Sequence, residues 1–143
     1  MSESERKPRL ILGEYYGLEN LRNAHSGHWF SPGAMRFFNS RLGSEVLPVP
    51  DGWLFTSSER FDYNTPRLYT IRKMDQYGEI SEVGEFQQYT SSASARRFMR
   101  KLYDAGKPEL ERIREIRRQE QEEQNARYMA TMQRRLSAQK REE

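Results

Sequence analysis

Residues 109–143 constrain the fold of this chain more than any other segment. They read ELERIREIRRQEQEEQNARYMATMQRRLSAQKREE, with no Gly or Pro and with Glu, Arg and Gln in blocks of alternating sign. These are strong helix formers, and their ion pairs at spacings of three and four support a helix on its own surface. One helix from 109 to about 140 would run roughly 45 to 50 Å at 1.5 Å per residue. A domain built from the rest of the chain is too small to cover it. Leu110, Ile113 and Ile116 form one apolar patch, and Met129, Met132 and Leu136 a second. Between them RRQEQEEQN has nothing to bury, so the pattern fits intermittent contact better than a continuous coiled-coil seam. The helix is expected to project from the domain or to pair with a second copy as a homodimer.

The 143-residue chain is 35% hydrophobic and 31% charged, a low apolar share for a chain that is compact throughout. The expected organisation is therefore a polar, disordered segment at 1–8, a compact domain at 9–107 and the charged helical extension at 108–143. Within the domain, Tyr15, Tyr16, Leu18 and Leu21 suit a short helix near 15–24, followed by the loop HSGHWF. The stretch WFSPGAMRFFNSRLG reads as a second helix. Ser31 can cap it, Pro32 suits its first turn, Met35, Phe38 and Leu42 make an inward stripe, and Gly43 stops it. Phe38 is expected to lie buried against a sheet.

The period then falls from 3.6 toward 2. EVLPV at 45–49 suits an edge strand because Pro48 cannot donate to a ladder. GWLFTSS at 52–58, RLYTIRKM at 67–74 and EISEVGEFQQY at 79–89 read as strands, with a turn at Asp75–Gly78 and a bulge or close backbone approach at Gly84. SSASARRFMRKLYDA at 91–105 returns to helical spacing, capped by Thr90 or a serine and ended by Gly106 and Pro108. Ala95, Phe98, Met99 and Leu102 should face the core. Arg96, Arg97, Arg100 and Lys101 form a basic stripe on the other side. The expected fold is α+β: a three-stranded antiparallel meander, four-stranded with the 45–49 edge, packed with helices in the order α-β-β-β-α, plus the long charged C-terminal helix.

The residue inventory offers little catalytic chemistry. Without cysteine there is no disulfide, no thiol nucleophile and no Cys-ligated zinc. His25 and His28 are the only histidines and lie in a loop without the helical spacing of a zinc motif. No phosphate-binding loop is present, and nothing marks a pocket that would tune Glu79, Glu82 or Glu85. The chain reads as non-enzymatic, with no cofactor and no metal. It also lacks an apolar run long enough to span a bilayer and an apolar leader segment. It is expected in the cytoplasm of the cell that makes it.

The stretches GHWFSPGAMRFFNSRLG, GWLFTSSERFD, PRLYTIRKMD and GEISEVGEFQQYTSSASA, spanning about half the chain, resemble a family of small uncharacterised proteins encoded by bacteriophages, plasmids and other mobile elements. The resemblance rests most on the MRFF-x-SR helix and the TSE, YTIRK and V-GEF strands. It implies a phage or mobile-element accessory protein inside a bacterial host cell and carries no activity. The element order is also similar to that of double-stranded RNA-binding domains, though the groove-binding loop of those domains has no counterpart here.

Two functions are expected from these readings. The first is a protein-binding module that modulates a host or phage protein; host takeover and anti-defence are roles of that kind. Its candidate contact residues are Arg96, Arg97, Arg100, Lys101, Met129, Met132 and Leu136. The second is nucleic-acid binding through the basic face of 91–105, with Tyr69 and Arg72 adding stacking and phosphate contacts.

Overall fold

The structure is a computed structural model that describes residues 6–27, 45–60 and 62–142. The helix expected at 31–43, with Met35, Phe38 and Leu42, and His28 before it, lie outside the described residues. The elements are α1 (Leu18–Ala24), β1 (Leu47–Val49), β2 (Gly52–Glu59), β3 (Leu68–Met74), β4 (Ile80–Val83) and α2 (Ser92–Glu142). The four strands form one antiparallel sheet in sequence order, so the meander takes its four-stranded form.

β2 shows why this sheet needs cover on both faces. Trp53 and Phe55 point to one side and Leu54 to the other, and all three are buried. The Trp53 face packs with Leu10, Leu21, Ala24 and Met74, which brings the N-terminal segment and α1 onto it. Tyr16 meets Trp53 edge to face with ring centroids 5.3 Å apart, and the indole Nε1 donates to the Glu14 carbonyl at 2.8 Å. The opposite face joins Leu47, Val49, Leu54 and Ile71 to Ala95 and Met99 of α2. The domain therefore has three layers with the sheet in the middle.

The turns follow the residues that allow them. β1 pairs Val49 with Gly52, leaving Pro50 and Asp51 as a two-residue turn. A Cβ on Gly52 would stand 2.2 Å from the Met74 carbonyl oxygen of β3, so only glycine fits there. Pro48 lies in the edge strand opposite Trp53, where its missing N–H leaves no inner ladder unsatisfied. Between β3 and β4 the Asp75 carboxylate accepts the N–H groups of Tyr77 and Glu79, at 2.9 and 3.0 Å. Gly78 in that turn has φ +85°, and a Cβ there would lie 2.0 Å from the Ala24 carbonyl oxygen. The end of α1 thus rests directly on the β3–β4 turn.

Two expectations change. The last strand stops at Val83 instead of reaching residue 89. Gly84 at φ +84° and Gln87 at φ 58° turn the chain out, and Tyr89 returns to pair with Tyr69. Because Val83 pairs with Ile71, residues 84–88 all stand opposite Thr70, whose hydroxyl accepts the Gln87 N–H at 2.8 Å. The close approach expected at Gly84 is therefore an extended bulge.

The second change is in α2, which starts with Ser91 accepting the Ser94 N–H and does not end at Gly106 or Pro108. Gly106 serves a different purpose: its missing Cβ would sit 2.8 Å from Cδ of Pro50, so the helix can slide past the β1–β2 turn. Pro108 is exposed, with Leu110 fully buried one half-turn on. An internal proline costs about 3 kcal/mol. Anchoring on both sides of it, through Met99 before and Leu110 after, holds the helix continuous.

Candidate interaction surfaces

The basic stripe lies on the first turns of α2. Ala95 and Met99 are fully buried, which turns Arg96, Arg97, Arg100 and Lys101 outward, and all four are exposed. With Ala93 and Glu45 they line one shallow surface concavity. Glu45, from the segment that leads into β1, forms an ion pair with Arg100 at 2.7 Å. Arg97 donates to the Ser94 hydroxyl at 3.4 Å. Among the described residues, Arg100 alone of the four is ion-paired. Sequence reasoning misses Glu45 as a part of this site, because 55 residues separate it from Arg100 and no spacing pattern links them.

Phe98 departs from the expected core stripe. It is 40% exposed and leans on Tyr89, with centroids 5.9 Å apart. The side of α2 that faces the sheet is set by the small Ala95 and the flexible Met99, and Phe98 falls at its margin, beside the cations.

Arg72 also differs from expectation. Its side chain is buried, donating from Nε to Ser57 Oγ at 3.2 Å and pairing with Glu82 at 3.3 Å, while its guanidinium lies over the Phe86 ring. A charge enclosed in this way offers nothing to a phosphate, and removing one of its partners would leave it buried and unpaired. The strand surface therefore adds no basic contact at Arg72 to the stripe on α2.

Further along α2, its side chains clamp the N-terminal segment. Arg114 Nε donates to the Gly13 carbonyl at 2.6 Å, and its guanidinium stacks 4.3 Å from the centre of the Tyr15 ring. Arg117 bonds the Leu12 carbonyl and pairs with Glu14 at 2.7 Å. The Tyr15 and Tyr103 hydroxyls are 3.2 Å apart. That hydrogen bond, with the Arg114 cation beside it, holds Tyr15 below the usual phenol range. The same hydrogen bond, with burial, pushes Tyr103 above it against the opposing pull of Arg114. Residues 12–15 and 103–117 are far apart in sequence, and no motif foretells their contact.

Beyond Arg117 the contacts change character. Arg118 pairs with Glu115 and Glu122, and Arg127 approaches Glu123, all within the helix itself. Met129 is 65% exposed, Leu136 54% and Tyr128 63%, and Met132 is partly exposed among them. Met129, Met132 and Leu136 thus share one face of the helix, as their spacing implied. The structure does not bring this patch to the basic stripe, which lies near the other end of the same helix.

No group of three or more His, Asp or Glu side chains among the described residues is placed to hold a metal ion. No described helix is long and apolar enough to cross a membrane. The sequence profile of DUF7447, a family of unknown function, matches residues 17–100. The match spans more than half of the chain, which therefore belongs to that family. It ends at Arg100, so it covers the sheet and the basic stripe up to that residue and leaves the rest of α2 outside. No curated protein and no solved structure matches this chain.

Proposed function

We propose that this chain is a non-enzymatic accessory protein of a phage or other mobile element, acting in the cytoplasm of a bacterial host. It binds and modulates a host or phage protein by docking the basic face of α2 on an acidic surface of that protein. The observation that carries this reading is the exposure of Arg96, Arg97 and Lys101 on one helix face, with Glu45 answering Arg100 alone among the described residues. The helix backbone beneath is fixed by Ala95 and Met99, so the charges are presented on a rigid support. Charges displayed in this way favour a complementary partner through encounter rate and register.

A protein partner is favoured over nucleic acid by the surrounding charge. The net charge of the chain is +3, and residues 91–107 carry more than that excess themselves, so the remainder provides no supporting positive field. The burial of Arg72 removes one further candidate phosphate contact.

Affinity capture from host cells carrying the element, with and without nuclease, tests the reading. A partner retained after nuclease and lost by an Arg96→Gln, Arg97→Gln, Lys101→Gln variant supports it. Arg100 is left unchanged in that variant to keep its pair with Glu45. Loss of all capture on nuclease treatment would point instead to the phosphate backbone. Binding to duplex DNA should then show a salt slope flattened by nearly one unit per removed charge, about three in all.

A further inference from the structure

The second half of α2 is a different surface, and its partner can be read from its own sequence. Residues 119–125, QEQEEQN, hold Glu120, Glu122 and Glu123 and no base, whereas residues 126–141 hold Arg127, Arg134, Arg135, Lys140 and Arg141 and no acid. The patch of Met129, Met132 and Leu136 lies inside the basic block, at spacings of three and four, with Asn125 and Glu122 continuing the same seam toward the N-terminus. Met129 and Leu136 are more than half exposed, on a helix whose ion pairs here are internal to it.

We propose that this segment pairs antiparallel with the same segment of a second copy of the chain. The pairing is independent of the partner proposed for the basic stripe. In an antiparallel two-helix seam the first apolar position of one heptad faces the fourth of the other chain. Setting Met129 of one copy against Met132 of the other fixes the register. The two-fold axis repeats that contact, and Leu136 then falls opposite Asn125 on each side. The same register lays the acidic block of each copy along the basic end of the other. Glu122 meets Gln139 and its neighbour Lys140, and the exposed ring of Tyr128 comes beside Arg135, a cation–π arrangement. A parallel pair would stack acid on acid and base on base. The charge blocks thus select the antiparallel orientation, and the apolar patch sets its register. The two α2 helices, running in opposite directions from a shared midpoint near residue 130, would set the basic stripes about 100 Å apart at 1.5 Å per residue. Two stripes on one dimer would engage a repeated or dimeric target with raised avidity.

The chain has no cysteine, so single introduced cysteines report the pairing. Glu122→Cys and Gln139→Cys variants of the full chain are oxidised separately and as a mixture. The antiparallel register brings the thiol at position 122 of one copy to the thiol at position 139 of the other. It keeps each about 25 Å from its own counterpart at 1.5 Å per residue, far beyond disulfide reach. The expected result is a disulfide-linked dimer in the mixture and none in either variant alone. Sedimentation of the natural chain should show a concentration-dependent dimer that weakens with salt and disappears in Met129→Glu, Leu136→Glu. The Arg96→Gln, Arg97→Gln, Lys101→Gln variant should dimerise as the natural chain does, which separates this result from that of the basic stripe. Linking of Glu122→Cys with itself, or a chain monomeric at all concentrations, would overturn the proposal.

Discussion

The two halves of α2 reach the same helical state by different means. From Ser92 to Arg117 the helix is held from outside. Ala95, Met99 and Leu110 are fully buried, and Arg114 and Arg117 bond backbone carbonyls of the N-terminal segment. From Arg118 to Glu142 it is held from within, by Arg118 with Glu115 and Glu122 and by residues of high helix propensity. Exposed pairs of this kind are screened by solvent, and each contributes little. A fully buried large apolar side chain contributes several times more. The first half is therefore part of the domain and the second depends on its own weak local terms unless something covers it. The difference is one of environment: the tolerated Pro108 lies in the half with tertiary anchors on both of its sides.

The largest effects should come from the layers that anchor the first half. Trp53→Ala removes a fully buried indole, its edge contact with Tyr16 and its bond to the Glu14 carbonyl. Urea denaturation should show a loss of about 3 to 5 kcal/mol, most of the stability of a small domain. Gly78→Ala is expected to cost about 2 to 3 kcal/mol, because a side chain is strained at φ +85° and its Cβ meets the Ala24 carbonyl. A Gly78→Ala protein as stable as the natural one would mean that α1 does not rest on the β3–β4 turn. Arg114→Met, which loses the bond to Gly13 and keeps the apolar stem, should cost about 1 kcal/mol.

How legible these features are in sequence depends on how local they are. The strands at 47–49, 52–59 and 68–74 follow from alternation and from the turn residues around them, since Trp53, Leu54 and Phe55 sort to two faces by period alone. The edge position of β1 follows from Pro48. The basic stripe follows from helical spacing once Ala95 and Met99 are inside. The continuation of α2 past Gly106 and Pro108 does not, because those residues are ordinary stop signals overruled by contacts with Pro50 and with residues 12–14. The same holds for the bulge at 84–88, which depends on where Tyr89 rejoins Tyr69, and for Glu45 at Arg100. Each is a contact between segments distant in the chain, and local pattern does not encode it. The burial of Arg72 is hidden for a related reason: strand alternation gives the face, and only the sheet shows that Ser57 and Glu82 are there to receive a buried cation.

The junction of the two halves carries a pH signature at Tyr15 and Tyr103. Tyr15 ionises more readily than an ordinary phenol, so the folded state holds fewer protons than the unfolded one just below pH 10, and stability rises with pH there. Tyr103 ionises less readily, so the folded state keeps its proton above pH 10, and stability falls as pH rises further. Ultraviolet titration should resolve Tyr15 as an early tyrosine, with Tyr103 and the partly buried Tyr89 late, and Tyr103→Phe should move the early one toward the ordinary value. An unchanged early tyrosine in Tyr103→Phe would place its cause at Arg114 alone. The smallest effects belong to the second half: in dilute solution Met129→Ala and Leu136→Ala should each alter stability by less than about 0.5 kcal/mol, as exposed positions do.

Backbone hydrogen exchange along α2 at low and high protein concentration tests the contrast most directly. The account predicts strong, concentration-independent protection through residues 95–114. It predicts weak protection across 119–141 in dilute solution that rises on concentration as the second copy covers Met129, Met132 and Leu136. Equal protection along the whole helix at every concentration would contradict it.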